Sequence, residues 1–148
     1  MSKFQRKQLA ALLRSYPAMQ TALKNLAEQI EAEANVVRVY QARMENGDDL
    51  DLKIMSEHLF LFENLNLQKS LLEAKINTVA RSLEALSEED REMLTAFYFE
   101  PYDRDTPFLL MERFRYEKSQ LYYRRGRALD RFGENYGVSR LEKEEDAG

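Results

Sequence analysis

The sequence predicts an all-α protein, with a long N-terminal helical hairpin followed by a cluster of short helices. Apolar residues recur at three- and four-residue spacing almost throughout, which is the period of one helix face. Glycine (5) and proline (3) are scarce among the 148 residues, so most of the turn punctuation of an all-β fold is missing. With 44% apolar and 32% charged residues, the chain suits one compact domain, or a small domain with an extended element.

Residues 4–14 form a short helix in this reading, with Phe4, Leu9, Leu12 and Leu13 on its apolar side. Tyr16-Pro17 should end it, because the residue before proline is pushed away from helical geometry. A long helix then spans about 18–45, with Leu23, Leu26, Ile30, Val37, Tyr40 and Met44 on one stripe that Glu33 interrupts. Asn46-Gly47-Asp48-Asp49 is the clearest break in the first half: Asn and Gly tolerate left-handed geometry, and the acidic pair suits a following helix start. The second long helix runs from about residue 50 to 83 or beyond. Phe62, Leu65, Lys69, Leu72, Ile76, Val79, Leu83 and Leu86 follow heptad spacing along it, with Lys69 the one polar member. The spacing fits an antiparallel hairpin, helices paired across subunits, or a core stripe within one chain.

Ser87 is placed to cap the next helix, with Glu88, Glu89 and Asp90 at the positive end of its dipole and Asp90 where a capping-box acid belongs. That helix carries Met93, Leu94, Phe97 and Tyr98 and stops near Glu100-Pro101. Thr106-Pro107 reads as an N-cap followed by proline at the first helical position. A helix over about 107–113 presents Leu109, Leu110 and Phe114 for packing, residues 114–116 turn, and a last helix starts near Glu117. Leu121, Ala128, Leu129 and Phe132 form its buried face, and Gly126 permits close approach of a neighbour. The expected organisation is a hairpin or oligomerisation region at 1–82, a helix-turn-helix region at 83–136 and a flexible acidic tail at 137–148.

Charge singles out one of these segments. Residues 106–133 hold Arg113, Arg115, Lys118, Arg124, Arg125, Arg127 and Arg131 against Glu112, Glu117 and Asp130, a local balance of +4 in a chain of net charge −4. A positive patch on an acidic protein points to a polyanionic partner, since phosphate neutralisation supplies most nucleic-acid affinity. Lys118, Ser119, Gln120, Tyr122 and Tyr123 occupy the first turns of the last helix, where a recognition helix meets base edges. Arg124, Arg125, Arg127 and Arg131 lie further along, where phosphates would be. Adjacent residues on a helix point about 100° apart, so Tyr122 and Tyr123 cannot both face outward, and one is expected to pack inward.

The segments LSEEDREMLTAFYF (86–99), TPFLLMERF (106–114) and YEKSQLYYRRGRALDRF (116–132) resemble region four of bacterial sigma factors. They resemble more closely the ArpU/RinA group of sigma-like late-gene regulators of phages and prophages. Ser119, Tyr122-Tyr123-Arg124 and Ala128-Leu129 are the most characteristic part. The resemblance covers about one third of the chain. It implies a DNA-binding transcriptional regulator, an activator of late genes, with Thr106 on a phosphate and Lys118, Ser119, Gln120, Tyr122 and Tyr123 reading bases. Arg115 stands where the family's turn glycine belongs, implying a turn without left-handed geometry, and Glu117 replaces the usual Ser/Thr cap. Double-stranded DNA is the expected partner, with RNA polymerase or a second copy of the chain engaging the N-terminal helices. The competing reading is a helical oligomeric adaptor, or a small terminase-like DNA-packaging subunit.

Other classes find no support in the residues. There is no cysteine, hence no disulfide, thiolate metal site or cysteine nucleophile. The single histidine, His58, lies in an apolar helix, and a zinc site would need several carboxylates besides. No P-loop, dinucleotide fingerprint or nucleophile elbow is present. The chain is therefore expected to be a non-enzyme without catalytic residues, metal or cofactor. With no apolar stretch approaching ~18 residues and no cleavage-type leader, it is expected to be cytoplasmic and off the membrane.

Overall fold

The computed structural model describes residues 1–101 and 103–137. Among these the chain is all-α, with no strand and five helices: α1 Lys3–Glu45, α2 Leu52–Glu84, α3 Glu88–Tyr98, α4 Thr106–Phe114 and α5 Lys118–Tyr136. Apart from Gly137, the tail expected at 137–148 lies outside the described residues. No described helix is long and apolar enough to cross a membrane.

The chain divides into two compact units, one built from residues 1–17 and from 77 onward, the other from 18–76. In the first, Leu9 and Leu13 of α1, Val79 of α2, Met93 and Leu94 of α3, and Leu121 and Phe132 of α5 are the most deeply buried side chains. Residues 1–17, expected to belong with the hairpin, instead help build this core. No periodicity could reveal that, because an apolar stripe on α1 does not say which distant stripe it meets.

The break expected at Pro17 is absent, since α1 runs through it. A proline inside a helix costs about 3 kcal/mol through a lost N–H bond and a ring clash. Leu9, Leu12 and Leu13 are buried in the turns before it, at roughly 1.5–3 kcal/mol each, and the Tyr16 ring lies 5.3 Å from Phe99. Tertiary burial on this scale outweighs the local preference.

The second unit is the pair formed by the rest of α1 and α2 up to residue 76. Gly47 supplies the left-handed turn, at φ 77°. The start of α2 is capped by Asp51, whose Oδ1 accepts from the N–H groups of Lys53 and Ile54 at 3.0 and 3.3 Å. Of the acidic pair expected in that role, Asp48 faces Arg43 at 3.4 Å. Glu33, the acid that interrupts the α1 stripe, meets His58 Nδ1 of α2 at 3.0 Å, and the Tyr40 ring lies 5.7 Å from the His58 ring. Leu65 and Ile76 are buried. Lys69 turns along its own helix to Glu73 at 3.6 Å.

Candidate nucleic-acid interface

The chain enters α4 through Asp105, which takes the N-cap position in place of Thr106; Thr106 is the first helical residue and Pro107 the second. Pro107 and Leu110 are buried, whereas Phe108 and Leu109 are 67% and 62% exposed. Leu109 is thus a surface residue, contrary to its assignment to the packing face. Thr106 is half-buried at the helix start, donating its N–H to the Asp103 carbonyl at 3.2 Å.

The turn into α5 also departs from expectation. Arg115 adopts φ 58°, ψ 44°, the left-handed geometry that a non-glycine was expected to avoid. Its N–H and that of Tyr116 both reach the Met111 carbonyl, so closing the C-terminus of α4 requires this backbone whichever side chain stands there. The Tyr116 hydroxyl donates to the Glu89 carboxylate, which raises the phenol's pKa. Arg113 holds Glu92, with Nη2 3.1 Å from Oε2. Both contacts fasten the turn to α3.

Glu117, in extended geometry, is the N-cap of α5. Gln120 Oε1 accepts from the Glu117 N–H at 3.0 Å, so this side chain, assigned to base reading, already secures the helix start. Leu121, Ala128, Leu129 and Phe132 are all buried as their spacing predicts. The helix continues one turn beyond expectation to Tyr136, which is 2% exposed and stacks on Phe132 with ring centroids 5.9 Å apart.

The two tyrosines divide. Tyr122 turns inward, its ring 6.3 Å from Phe97, and Tyr123 is 67% exposed. The four arginines divide as well. Arg131 Nη1 donates to the buried Asp90 at 2.8 Å, and this bond raises its own pKa. That commits it to joining α5 to α3. Arg125 lies over two adjacent rings, its guanidinium carbon 4.8 Å from the centroids of both Phe97 and Tyr122. Arg124, over the Tyr116 ring at 5.8 Å, and Arg127 are exposed. The outward face is therefore Gln120, Tyr123, Arg124 and Arg127, at i, i+3, i+4 and i+7, with Lys118 and Ser119 exposed on the first turn.

Asp90 and Asp130 were read in the sequence only as a capping-box acid and a local negative charge, and both are buried. Asp90 does receive the Ser87 cap, donating its N–H to Ser87 Oγ at 3.2 Å, but its carboxylate serves Arg131. Asp130 is 6% exposed and takes two bonds from Arg6 of α1, at 2.8 Å from Nε and 2.7 Å from Nη2. These bonds hold its carboxyl below the usual aspartate range. The same guanidinium covers Gly126, where an added Cβ would sit 2.9 Å from Arg6 Nη1. A lone acid one turn after a mid-helix glycine, in an otherwise cationic stretch, was the available signal. Tyr98, buried beneath Arg14, has its hydroxyl pushed up by burial. Among the described residues no group of three His, Cys, Asp or Glu is placed to hold a metal ion.

Comparison with protein-family models, with curated protein sequences and with solved structures finds no match for this chain.

Proposed function

We propose that the chain is a sequence-specific DNA-binding regulator in which α4, the turn and α5 act as a helix-turn-helix, with α5 entering the major groove. The observation that carries this reading is the outward face of α5. Tyr123, Arg124 and Arg127 stand exposed on a helix whose other side supplies buried core residues. A short helix before it, closed by a left-handed residue, is the connection that such motifs use. The resemblance of residues 86–132 to sigma-like late-gene regulators adds the class of target, promoter DNA of a phage or prophage. In this function Arg124 and Arg127 hold phosphates, Tyr123 and Ser119 reach base edges, and Arg125 stiffens the helix against Phe97. Arg131 and Tyr122, once candidates for direct contact, position α5.

The test is a salt-titrated shift assay of the whole protein on pooled random duplexes, with the retained DNA sequenced. Enrichment of one motif that survives added salt is the expected result. Retention without a motif, vanishing as salt rises, would reduce α5 to a charged surface and move attention to the helical hairpin, as in an adaptor or packaging subunit.

A further inference from the structure

Helix α2 carries a second apolar stripe on the side away from its buried residues. Phe60, Leu67 and Leu71 are 71%, 58% and 64% exposed, and Asn64 between them is exposed too. Their spacing of four, three and four is that of a coiled-coil seam. It is offset from the stripe of Leu65 and Ile76, which is buried within the chain. In heptad terms Asn64 and Leu71 take a positions and Phe60 and Leu67 take d positions. Isolated exposed leucines are ordinary, but three large apolar side chains in seam register on one helix form a surface built for another helix.

We infer that this stripe is a parallel, in-register self-association seam, and that its occupant is α2 of a second copy of the chain. Asn64 selects both the partner and the direction. In a parallel pair in register, each Asn64 amide faces its counterpart, and the two satisfy one another's donor and acceptor. A single asparagine at an a position is a known means of fixing two strands and their register. In an antiparallel pair overlapping the same stripe, Asn64 would face Leu67 of the other copy and bury an unsatisfied amide. The flanks permit the parallel arrangement, because Glu63 at g then faces Gln68 at e, with no like-charge contact. From Phe60 to Leu71 the seam is about 17 Å long at 1.5 Å per residue. Its four side chains are far fewer than the roughly 20–30 residues a side of a standard stable interface, so association is weak and dependent on concentration. The seam stands whether or not α5 reads DNA.

The chain has no cysteine, which makes single-cysteine variants clean probes. In the full chain, Asn64→Cys and Leu71→Cys should each form a same-residue disulfide dimer under mild oxidation, while Asn35→Cys on α1 should not. Sedimentation from about 1 µM to about 1 mM, the range of weak association, should show a monomer–dimer equilibrium. Leu67→Asp with Leu71→Asp should raise its Kd at least about 100-fold, with helicity unchanged by circular dichroism because both sites are exposed. Asn64→Leu should tighten association and loosen register. A monomer throughout, with no cross-link, overturns the seam. A dimer insensitive to the paired aspartates also overturns it, and cross-linking only between a position-64 and a position-67 cysteine overturns the parallel register.

Discussion

Replacing Arg6 with alanine should destabilise the unit containing α5 by about 2 kcal/mol, and the loss should depend on pH in a defined way. Removing one partner of a buried ion pair costs roughly 3–5 kcal/mol, because the other charge is left uncompensated. Asp130 meets that description, with a side chain 8% exposed and two bonds from Arg6. Two features reduce the cost. The Arg6 side chain is 38% exposed, so water already screens part of the attraction, and Arg127 stands 3.6 Å from the same carboxylate as a substitute cation. Half the buried figure, about 2 kcal/mol, corresponds to a fall in Tm of roughly 4–8 °C for a chain of this size. Because Arg6 holds the Asp130 pKa down in the folded state, the unfolded chain takes up the proton first as pH falls. The pair's contribution is thus complete above the ordinary aspartate value of about 3.9 and is lost as pH drops through the lower folded value. Urea unfolding of both proteins at pH 7 and at steps into acid should give a gap that is full at neutrality and narrows below about pH 4. A gap under about 0.5 kcal/mol at pH 7, the level of an ordinary surface change, would refute the reasoning, as would a gap that does not respond to acid.

Other substitutions separate the roles assigned to neighbouring residues. Arg115→Gly should stabilise the fold by about 0.5–1 kcal/mol in denaturant titrations, because glycine occupies left-handed backbone without the Cβ penalty; a loss of stability would contradict the turn geometry. Gly133→Ala should do the reverse. Its Cβ would lie 2.7 Å from the buried Leu9 Cδ1, and an overpacking cost of roughly 1–3 kcal/mol exceeds a helix-propensity gain of about 1 kcal/mol. For DNA binding, Arg127→Ala should lower the salt slope by about 0.9 while leaving the melting temperature nearly unchanged. Arg131→Ala should lower the melting temperature and leave the slope nearly intact; the opposite pattern would exchange the two roles.

What the sequence revealed followed from local physics. Leu121, Ala128, Leu129 and Phe132 were legible as a buried face because helical spacing alone aligns them. Ser87 was legible as a cap because a hydroxyl before three acids has few other uses. The all-α class was legible from the same periodicity and from scarce glycine and proline. Long-range partnerships were not. The charges of Arg131 and Arg6 read as surface cations until Asp90 and Asp130, 41 and 124 residues away, turned them into fasteners. Pro17 read as a terminus because its local cost is explicit, whereas the burial that offsets it arises only once α1 meets α5. Arg115 read as evidence against a left-handed turn because residue preference is a tendency, and two hydrogen bonds to the Met111 carbonyl outweigh it here. Tyr122 and Tyr123 were separable in principle but not in identity, since the period says that one turns inward and only the position of Phe97 says which.

The two buried aspartates have a consequence for how this surface can change. Asp90 and Asp130, with Leu121, Ala128, Leu129 and Phe132, anchor α5 from one side, and none of them lies on its outward face. Tyr123 and Arg124 are exposed, and Arg127 stands behind Arg6 as the more distant partner of Asp130, at 3.6 Å, so the three carry little of the fold's stability while Arg6 is in place. Substitutions at those three positions are therefore close to thermodynamically neutral and accessible one at a time. A library randomised at 123, 124 and 127 should yield mostly folded members, and the proteins recovered from it would report on recognition alone, uncoupled from folding.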